Sequence, residues 1–400
     1  MIPHLREQFN QQFTEEKYHH LLEHIANIYG VTPNFRVAES PLFISKLLKE
    51  RLLDACAELT EVVIRPDIKE ISQGALYGPE VVVPNEDDHT IFLQMDFGIC
   101  MDENGDPIPQ LIEIQGFPSV YFFQYIISQA YKDVYQLPSN LTCYFGNRSR
   151  EEYKQLMYDI IVGDSDPKQV VLLEIDPENQ TTYIDMASTA AELGIVVLCI
   201  TDVIKKGKKL YYLDKTGHEI EIKKIYNRVI FDELYQRPDL KLNFSFNDDL
   251  DVEWIGHPNW FYRISKYLLP YMKSKYVPET HFLSDVVMLP KDLDQYVLKP
   301  LFSFAGAGVI IDVTKEDVDK IPVTERGNYI LQKKVTYEPI LQAPNEPVKA
   351  EIRMLMMWPK EAPKPFVVNN LVRLSKGKMV GVKYNRDKDW VGGSVGFFEG

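Results

Sequence analysis

The sequence has few cysteines, and none of them is spaced like a metal site or a redox motif. The 400 residues include only four, which are Cys56, Cys100, Cys143 and Cys199. Cysteines scattered in this way are typical of buried apolar side chains in a reducing compartment. Their spacing excludes a disulfide framework and a four-cysteine zinc site.

Positive charge is also in short supply. The chain has 44 lysines and arginines against 58 aspartates and glutamates, which gives a net charge of −14 and a pI near 5.2. This balance argues against nucleic-acid or membrane binding through overall electrostatics. Long apolar runs are missing too, and the first residues lack the apolar core of a signal peptide. We therefore expect a cytoplasmic protein with neither nucleic acid nor a membrane as a partner.

Apolar side chains are abundant enough for well-packed cores, at 45% hydrophobic and 12% aromatic residues. The periodicity predicts helices over residues 1–60, with Ser40 as an N-cap before Pro41, and further helical character from Trp260 to Met272. The predicted strands are Val62–Ile64, Val81–Val83, a hairpin over 91–115, a βαβ unit over 169–200, a hairpin and a strand over 210–230, and several strands after 296. This alternation predicts an α/β or α+β fold.

A loop of small residues lies between two apolar runs near residue 300. Lys299 and Pro300 end the first run, and Gly306, Ala307 and Gly308 precede the second. Backbone N–H groups of small residues can close over a phosphate chain, and a neighbouring lysine supplies positive charge. The loop is neither a Walker A motif nor a dinucleotide fingerprint, because no Gly-Lys-Ser/Thr and no third glycine follow. It is either a nucleotide lid or an ordinary hairpin turn.

Glu113 and Gln115 predict a metal site at the end of the 91–115 hairpin. Side chains two residues apart in a strand point to the same face, and carboxylate and amide oxygens suit Mg²⁺. Asp96, on the partner strand, would add a third oxygen nearby. The alternative interpretation is a solvated strand face.

Two later segments carry polar groups on apolar strands. Where the chain leaves the strand at Tyr329–Val335, the backbone of Lys333 and Val335 could bind an adenine edge; alternatively, the lysines protect an edge strand from aggregation. Arg353 and Arg373 would converge on phosphate if their strands lay near the glycine loop.

The order of these pieces resembles the ATP-grasp superfamily, specifically the permuted branch of eukaryotic-type glutathione synthetase and, more loosely, glutathionylspermidine synthase. The likeness runs in order from about residue 91 to residue 400. The matching motifs are Asp96-Phe97, Glu113-Ile114-Gln115, Tyr226-Asn227-Arg228, Lys266, Lys299-Pro300, Leu331 to Val335, Leu371-Val372-Arg373 and Gly392 to Gly396.

This resemblance implies an ATP-grasp fold with a helical N-terminal region (1–60), a metal and substrate part (61–165), a small α/β substrate lobe (166–240) and a nucleotide-binding part (241–400). It implies ATP and Mg²⁺ as cofactors and leaves a homodimer possible. The implied ATP-binding residues are Lys266, Lys299, Gly306, Ala307, Gly308, Lys333, Lys334 and Val335, with Glu113 and Gln115 holding Mg²⁺. The implied substrate residues are Arg228, Asp96 and Ser119, and the implied catalytic residues are Arg373, Gly392 and Gly393, the glycines forming a lid over an acyl phosphate.

The resemblance implies an ATP-dependent ligase that joins a carboxylate and an amine, with an amino acid or a peptide-like molecule as substrate. Three positions depart from the family pattern. Ser303 stands where a third metal carboxylate is usual, Gln115 replaces an asparagine, and Gln94 replaces an arginine that binds the acidic substrate of glutathione synthetase. We therefore expect a substrate other than γ-glutamylcysteine. A nucleotide-binding regulatory protein that has lost turnover is the alternative.

Overall fold

The computed structural model describes residues 1–303, 307–377, 380, 385 and 387–400. These residues form a mixed α/β fold, as predicted. The helices are α1 Pro3–Gln12, α2 Glu15–Tyr29, α3 Lys46–Val63, α4 Ile68–Ile71, α5 Tyr121–Tyr135, α6 Arg150–Ile161, α7 Tyr183–Leu193, α8 Phe231–Tyr235, α9 Pro258–Arg263 and α10 Lys315–Asp319. The strands are β1 Leu42–Phe43, β2 Phe92–Met101, β3 Pro107–Gln115, β4 Leu141–Thr142, β5 Val170–Glu174, β6 Val196–Cys199, β7 Ile204–Lys206, β8 Lys209–Leu213, β9 Glu219–Ile222, β10 Lys224–Asn227, β11 Glu253–Ile255, β12 Thr280–Phe282, β13 Tyr296–Pro300, β14 Ile310–Ile311, β15 Tyr329–Lys333, β16 Leu341–Gln342, β17 Pro347–Met357, β18 Phe366–Ser375, β19 Gly392–Ser394 and β20 Gly396–Glu399.

The central sheet is antiparallel and has the strand order β19-β18-β17-β2-β3, with β16 paired to β17. Its β2–β3 pair is the hairpin predicted over 91–115, which is thereby confirmed. One face of the sheet is apolar: Met95, Phe97 and Ile352 are fully buried there and belong to the largest core of the molecule. Helix α5 packs against β18, and α3 packs against β3. The other face is polar and carries the candidate site.

Strands β5 to β11 form a unit that we call the small lobe. It contains a parallel sheet with the order β11-β10-β5-β6 and an antiparallel meander of β7, β8 and β9. Strand β5, helix α7 and strand β6 form the predicted βαβ unit. Strand β5 is buried on both faces, because Val171 and Leu173 belong to the core of the lobe while Val170 and Leu172 belong to the large core. The small lobe is therefore attached to the rest of the molecule through its own sheet.

The small sheet is antiparallel, with the order β12-β15-β13-β14. One of its faces covers a separate small core that includes Leu298, Val318 and Leu331. The opposite face, with Lys299 and Gln332, turns toward β3 of the central sheet, since Lys299 Nζ donates to the carbonyl of Ile112. In the sequence, the glycine loop lies between β13 and β14.

Three predictions about the first hundred residues were wrong. The N-cap of α3 is Ser45, whose side chain accepts from the N–H of Leu48, whereas Ser40 lies in a bend before β1. Val62 and Val63 end α3 rather than begin a strand, because Leu52, Leu59 and Val63 share its buried face.

The chain from Pro79 to Val81 is a short 3-10 turn rather than a strand. The N–H of Val83, in the predicted strand, donates to the side chain of Asn259 at 2.8 Å instead of to a neighbouring strand. No helix of the described residues is long and apolar enough to span a membrane.

Candidate active site

A row of polar residues crosses the face of the central sheet opposite the large core. The strand register places Gly393 beside Arg373, Arg373 beside Glu351, Arg353 beside Asp96, and Asp96 beside Glu113. Glu351 and Arg353 are two residues apart in β17 and therefore share a face. This register brings side chains from four strands to one surface, namely from β18, β17, β2 and β3.

Four of these side chains form a buried network of opposite charges. Arg353 binds Asp96 with two hydrogen bonds, Nε–Oδ1 at 2.5 Å and Nη2–Oδ2 at 2.7 Å, and Arg373 contacts both Asp96 and Glu351. Tyr337 donates its hydroxyl to Glu351 at 2.9 Å. Burial opposes ionisation of Asp96, but the guanidinium groups of Arg353 and Arg373 prevail and hold the pKa of its carboxyl below the usual range.

Asp96 is consequently not available as the third metal oxygen that the sequence suggested, because both of its oxygens accept from arginines. Its prediction as a substrate residue remains a prediction. Arg373 is the more accessible arginine, with 37% of its side chain exposed against 10% for Arg353. Of the two arginines, Arg373 is therefore the one that a ligand arriving from solvent can contact more easily.

Lys299 lies where the small sheet meets the central sheet. The register between β2 and β3 shifts at Ile112, which has no partner in β2, and its carbonyl accepts from Lys299 Nζ at 3.0 Å. The same ammonium donates to Gln332 Oε1 at 2.6 Å. Burial lowers the pKa of Lys299 to about 8, and the charge of Lys266 acts in the same direction. Lys299 forms no ion pair with a carboxylate of the described residues.

Lys266 occupies the other side of this meeting point, just after α9. Its ammonium lies 3.5 Å from Glu113 Oε1 and 3.5 Å from Ser303 Oγ, and it also donates to the carbonyl of Ser303. The cleft between Glu113, Lys266 and Ser303 has a volume of only about 20 Å³, roughly enough for one water molecule. Gln115 and Phe302 also line it.

Glu113 and Gln115 could contribute oxygens to a divalent cation. Glu113 is contacted only by Lys266, and Gln115 makes no side-chain hydrogen bond among the described residues. The described residues contain no cluster of three His, Cys, Asp or Glu side chains suited to a metal. Two protein oxygens fit a Mg²⁺ ion whose other ligands come from phosphate and water, rather than a site formed by the protein alone.

The glycine loop is only partly described. Ala307 and Gly308 are exposed, whereas Gly306 lies outside the described residues. Gly308 has φ of +71°, and a Cβ there would lie 3.0 Å from Pro300 Cγ. A side chain at position 308 would therefore be strained, which explains the glycine.

The predicted adenine segment ends β15 and crosses the central sheet. The N–H groups of Lys333 and Lys334 already donate to the carbonyls of Glu279 and Gln295, each at 2.8 Å. Lys334 Nζ contacts the side chain of Asp312 and the carbonyl of Asp294.

Farther along this segment, the chain passes directly over β2. A Cβ on Gly98 would lie 3.0 Å from Val335 Cγ1 and 2.9 Å from the ring of Tyr337, so only glycine permits this crossing. The crossing brings Val335 onto the polar face of the central sheet.

Arg228 is fully buried in the small lobe. Its Nη1 donates to Asp185 Oδ2 at 2.9 Å, and its guanidinium lies 5.1 Å from the ring centroid of Phe117. Its Nη2 donates to Thr182 Oγ1 at 3.2 Å, and its Nε is buried without a hydrogen-bond partner among the described residues. Ser119, predicted with it, is partly buried, and its carbonyl accepts from Gln94 Nε2 at 2.9 Å.

Gly392 and Gly393 lie in strand β19 together with Ser394, and their role over an acyl phosphate stays a prediction. They pair with Leu374 and Arg373 of β18, and on the other side the N–H of Gly393 donates to the carbonyl of Arg36. A Cβ on Gly392 would lie 2.4 Å from that carbonyl oxygen. The glycines therefore permit close approach of two backbones, and both sides of the strand are already hydrogen-bonded.

The structure also reveals polar residues that the sequence reading missed. Glu174 and Gln180 lie at or just beyond the carboxyl end of β5 in the small lobe, beside Asn227 of the Tyr226-Asn227-Arg228 motif at the end of β10, which is the usual ligand position in open parallel sheets. Burial raises the pKa of Glu174 to about 8, and Asn227 Nδ2 is buried without a partner. The sequence signal that could have identified Glu174 is its position as a charged residue directly after the apolar run Val170–Leu173.

The fold is similar to that of a glutathione synthetase-like effector from Globodera pallida, whose structure is of the apo form. The two align with a TM-score of 0.60 over 96% of each chain, with 11% identical residues. No protein-family model and no curated protein sequence matches this chain. At this identity, the likeness establishes a shared glutathione synthetase-like fold.

Proposed function

We propose that this protein is an ATP-dependent carboxylate–amine ligase of the ATP-grasp type. The observation that carries the proposal is the convergence of two buried lysines, Lys266 and Lys299, on the strand end that presents Glu113. The lysines come from different parts of the chain and approach that strand end from two sides. The similarity to a glutathione synthetase-like fold supports the same interpretation.

A buried lysine without a carboxylate partner is costly for a folded protein. Lys299 has only neutral oxygens, from Ile112 and Gln332, as hydrogen-bond acceptors. Burial of a charge is normally compensated by an opposite charge, and a phosphate oxygen would supply one. This cost supports a role for Lys299 in binding an anionic ligand.

Mg²⁺ and ATP would lie together beside this strand end. Glu113 and Gln115 would hold the ion, which would reduce the negative charge of the phosphates during transfer. Lys334, Val335 and the described part of the glycine loop, Ala307 and Gly308, would contact the nucleotide along the face of the small sheet.

The acyl half of the reaction would take place along the polar row. Transfer of the γ-phosphoryl group of ATP to a substrate carboxylate gives an acyl phosphate and ADP, and attack by an amine then gives an amide and phosphate. Arg373, partly exposed and held by Asp96 and Glu351, would stabilise the charge on the acyl phosphate. An amino acid or a peptide-like molecule other than γ-glutamylcysteine is the proposed substrate, since Gln94 offers no positive charge.

Calorimetric titration of Mg-ATP tests the nucleotide half of the proposal. Replacing Lys299 by Met removes a charge-assisted contact worth about 1.5–3 kcal/mol, so the affinity should fall about tenfold or more. Lys291→Met, which changes an exposed lysine outside the cleft, is the matched control and should bind as the wild type does. Absence of Mg-ATP binding by the wild type would contradict the proposal.

An ADP-release screen tests the ligase half. Purified protein would be combined with Mg-ATP and pairs of amino acids, dipeptides and polyamines. We expect turnover with at least one pair, and loss of that turnover in Arg373→Met.

A second candidate function is a nucleotide-binding regulatory protein without turnover. It is favoured by Ser303, which stands where the related enzymes carry a metal carboxylate, and by the description of the similar structure as an effector. Tight Mg-ATP binding without ADP release in the full screen would support this candidate over the ligase.

A further inference from the structure

The nucleotide site proposed above is filled by the protein itself. Lys266 donates to the carbonyl of Ser303, and Ser303 Oγ lies 3.5 Å from the same ammonium. The gap that remains beside these atoms has a volume of about 20 Å³, roughly that of one water molecule and smaller than a phosphate group. A nucleotide phosphate could reach Lys266 only after Ser303 has moved away.

Phe302 anchors this segment in an aromatic cage. Its ring centroid lies 4.4 Å from that of Tyr77 and 6.4 Å from that of Tyr262, and the two tyrosine rings are themselves 5.7 Å apart. Tyr77 donates to Asp232 at 3.3 Å, which ties the cage to the small lobe. The Phe302 ring is tilted by 45° and 53° to the rings of Tyr77 and Tyr262, and its contact with them stabilises the position of Phe302.

The segment is fixed on its other side as well. The side chain of Leu301 is buried in the large core, and its N–H donates to the carbonyl of Asn328 at 2.9 Å. Ser303 Oγ donates to the carbonyl of Pro300 at 3.3 Å. Phe302 and Ser303 therefore occupy the cleft in one defined arrangement.

We propose that Phe302 and Ser303 form an autoinhibitory latch, in which the Ser303 carbonyl occupies the position on Lys266 that a nucleotide phosphate takes after the Phe302 ring leaves its cage. The inference rests on the nucleotide site proposed above. With such a latch, the free protein is distributed between a latched form, in which Lys266 is occupied, and an unlatched form that binds nucleotide. The apparent affinity is then the intrinsic affinity multiplied by the unlatched fraction.

Replacing a residue that contacts the nucleotide should weaken Mg-ATP binding, whereas replacing a residue of the latch should strengthen it. Phe302→Ala should lower the apparent Kd for Mg-ATP by about threefold to tenfold, because it destabilises only the latched form. Tyr77→Ala should act in the same direction, and the double variant should gain little beyond the stronger single variant, since both changes remove one ring pair. Tyr271→Leu alters a comparably exposed tyrosine that has no ring contact with Phe302, and its Kd should stay unchanged.

A fluorine label on Tyr77 gives a readout independent of affinity. In the wild type, Mg-ATP should shift the ¹⁹F resonance toward that of nucleotide-free Phe302→Ala, because both conditions remove the neighbouring ring. Circular dichroism and thermal unfolding would confirm that each variant is folded.

The outcomes separate the latch from the proposed function. If the wild type and Phe302→Ala bind Mg-ATP equally well, or the variant binds more weakly, the latch is wrong while the nucleotide site stands. If neither protein binds Mg-ATP, the nucleotide site and the latch fail together. Tighter binding by both cage variants, with a matching ¹⁹F shift, supports the latch.

Discussion

At the scale of single residues, Lys299 links stability to pH. Burial lowers its pKa to about 8, against an ordinary lysine value near 10.5. Between these two values the unfolded chain binds more protons than the folded one, so the free energy of unfolding should rise with pH. The contribution of this one group over the window is roughly 3 kcal/mol. Urea titrations from pH 7 to 10.5 should show this contribution in the wild type and not in Lys299→Met.

The same side chain makes nucleotide affinity depend on pH. Phosphate binds the protonated ammonium, so the affinity of the wild type for Mg-ATP should decrease as the pH rises through about 8. In Lys299→Met, the affinity should be lower and nearly flat from pH 7 to 9. An equally steep decrease in the variant would assign the titration to another group.

The two arginines of the polar row should differ in their contributions to stability. Arg353 makes two hydrogen bonds to the buried Asp96, whereas Arg373 is more exposed. Arg353→Met should therefore cost about 3–5 kcal/mol, the usual price of leaving a buried charge without its main partner. Arg373→Met should cost less and mainly remove turnover. Denaturant unfolding of both variants measures the difference, and equal losses would contradict the assignment.

At the scale of elements, Asp185 of α7 holds the beginning of α5. Its carboxylate accepts from the N–H groups of Val120, Phe122 and Phe123 at 2.9–3.0 Å, and it also pairs with Arg228. Val120 has φ of +59°, a strained conformation for a β-branched residue, and Asp185 helps to hold it.

Replacing Asp185 by Ala should cost about 3–5 kcal/mol, because it leaves three N–H groups and a buried guanidinium without their acceptor. Hydrogen exchange in the first turn of α5 should accelerate in the variant. Asp185→Asn is the matched control: it keeps an oxygen acceptor and should lose less stability. Unchanged exchange at Phe122 and Phe123 in the alanine variant would contradict this role.

The elements that the sequence predicted well have strong local signals. The 91–115 hairpin combines two apolar strands with an Asp-Glu-Asn-Gly-Asp turn, and the βαβ unit switches between the strand and helix periods. The wrong strand predictions arose at short apolar runs. Val62–Ile64 resembles a strand when read alone, and only its register with Leu52 and Leu59 shows the end of a helix.

The candidate site was only partly predictable because its partners come from distant positions in the chain. Glu113, Lys266 and Lys299 could be identified by their motifs, and the structure brings them together. The pairing of Asp96 with Arg353 depends on the order of β2 and β17 in the sheet, which no local pattern encodes. For the same reason, the sequence could not show that Gly392 and Gly393 allow β19 to lie against Arg36.

At the scale of the whole molecule, three cores of unequal size predict unequal local stability. The small sheet covers a core of only a few residues, including Leu298 and Leu331, whereas β2 and β17 lie over the large core. Without nucleotide, amides of β13 and β15 should exchange through local opening, and those of β2 and β17 only through global unfolding.

Mg-ATP should protect the small sheet selectively, because it would bind along the face with Lys299 and Gln332. Hydrogen exchange followed by mass spectrometry, with and without Mg-ATP, measures this protection. Equal protection of all sheets, or none at the small sheet, would contradict the proposed position of the nucleotide.

The pairing of β2 with β17 has a consequence for how the protein is made. Asp96 and Arg353 are 257 residues apart in the sequence, yet their strands are neighbours in the central sheet. A ribosome adding about 5–20 residues per second needs roughly 10–50 s to produce the second strand after the first. During that interval the β2 edge of the hairpin has no partner strand, and an unpaired edge is the kind of surface that joins other chains. We therefore expect the β2 edge to be a main site of association between incomplete chains while the protein is being made.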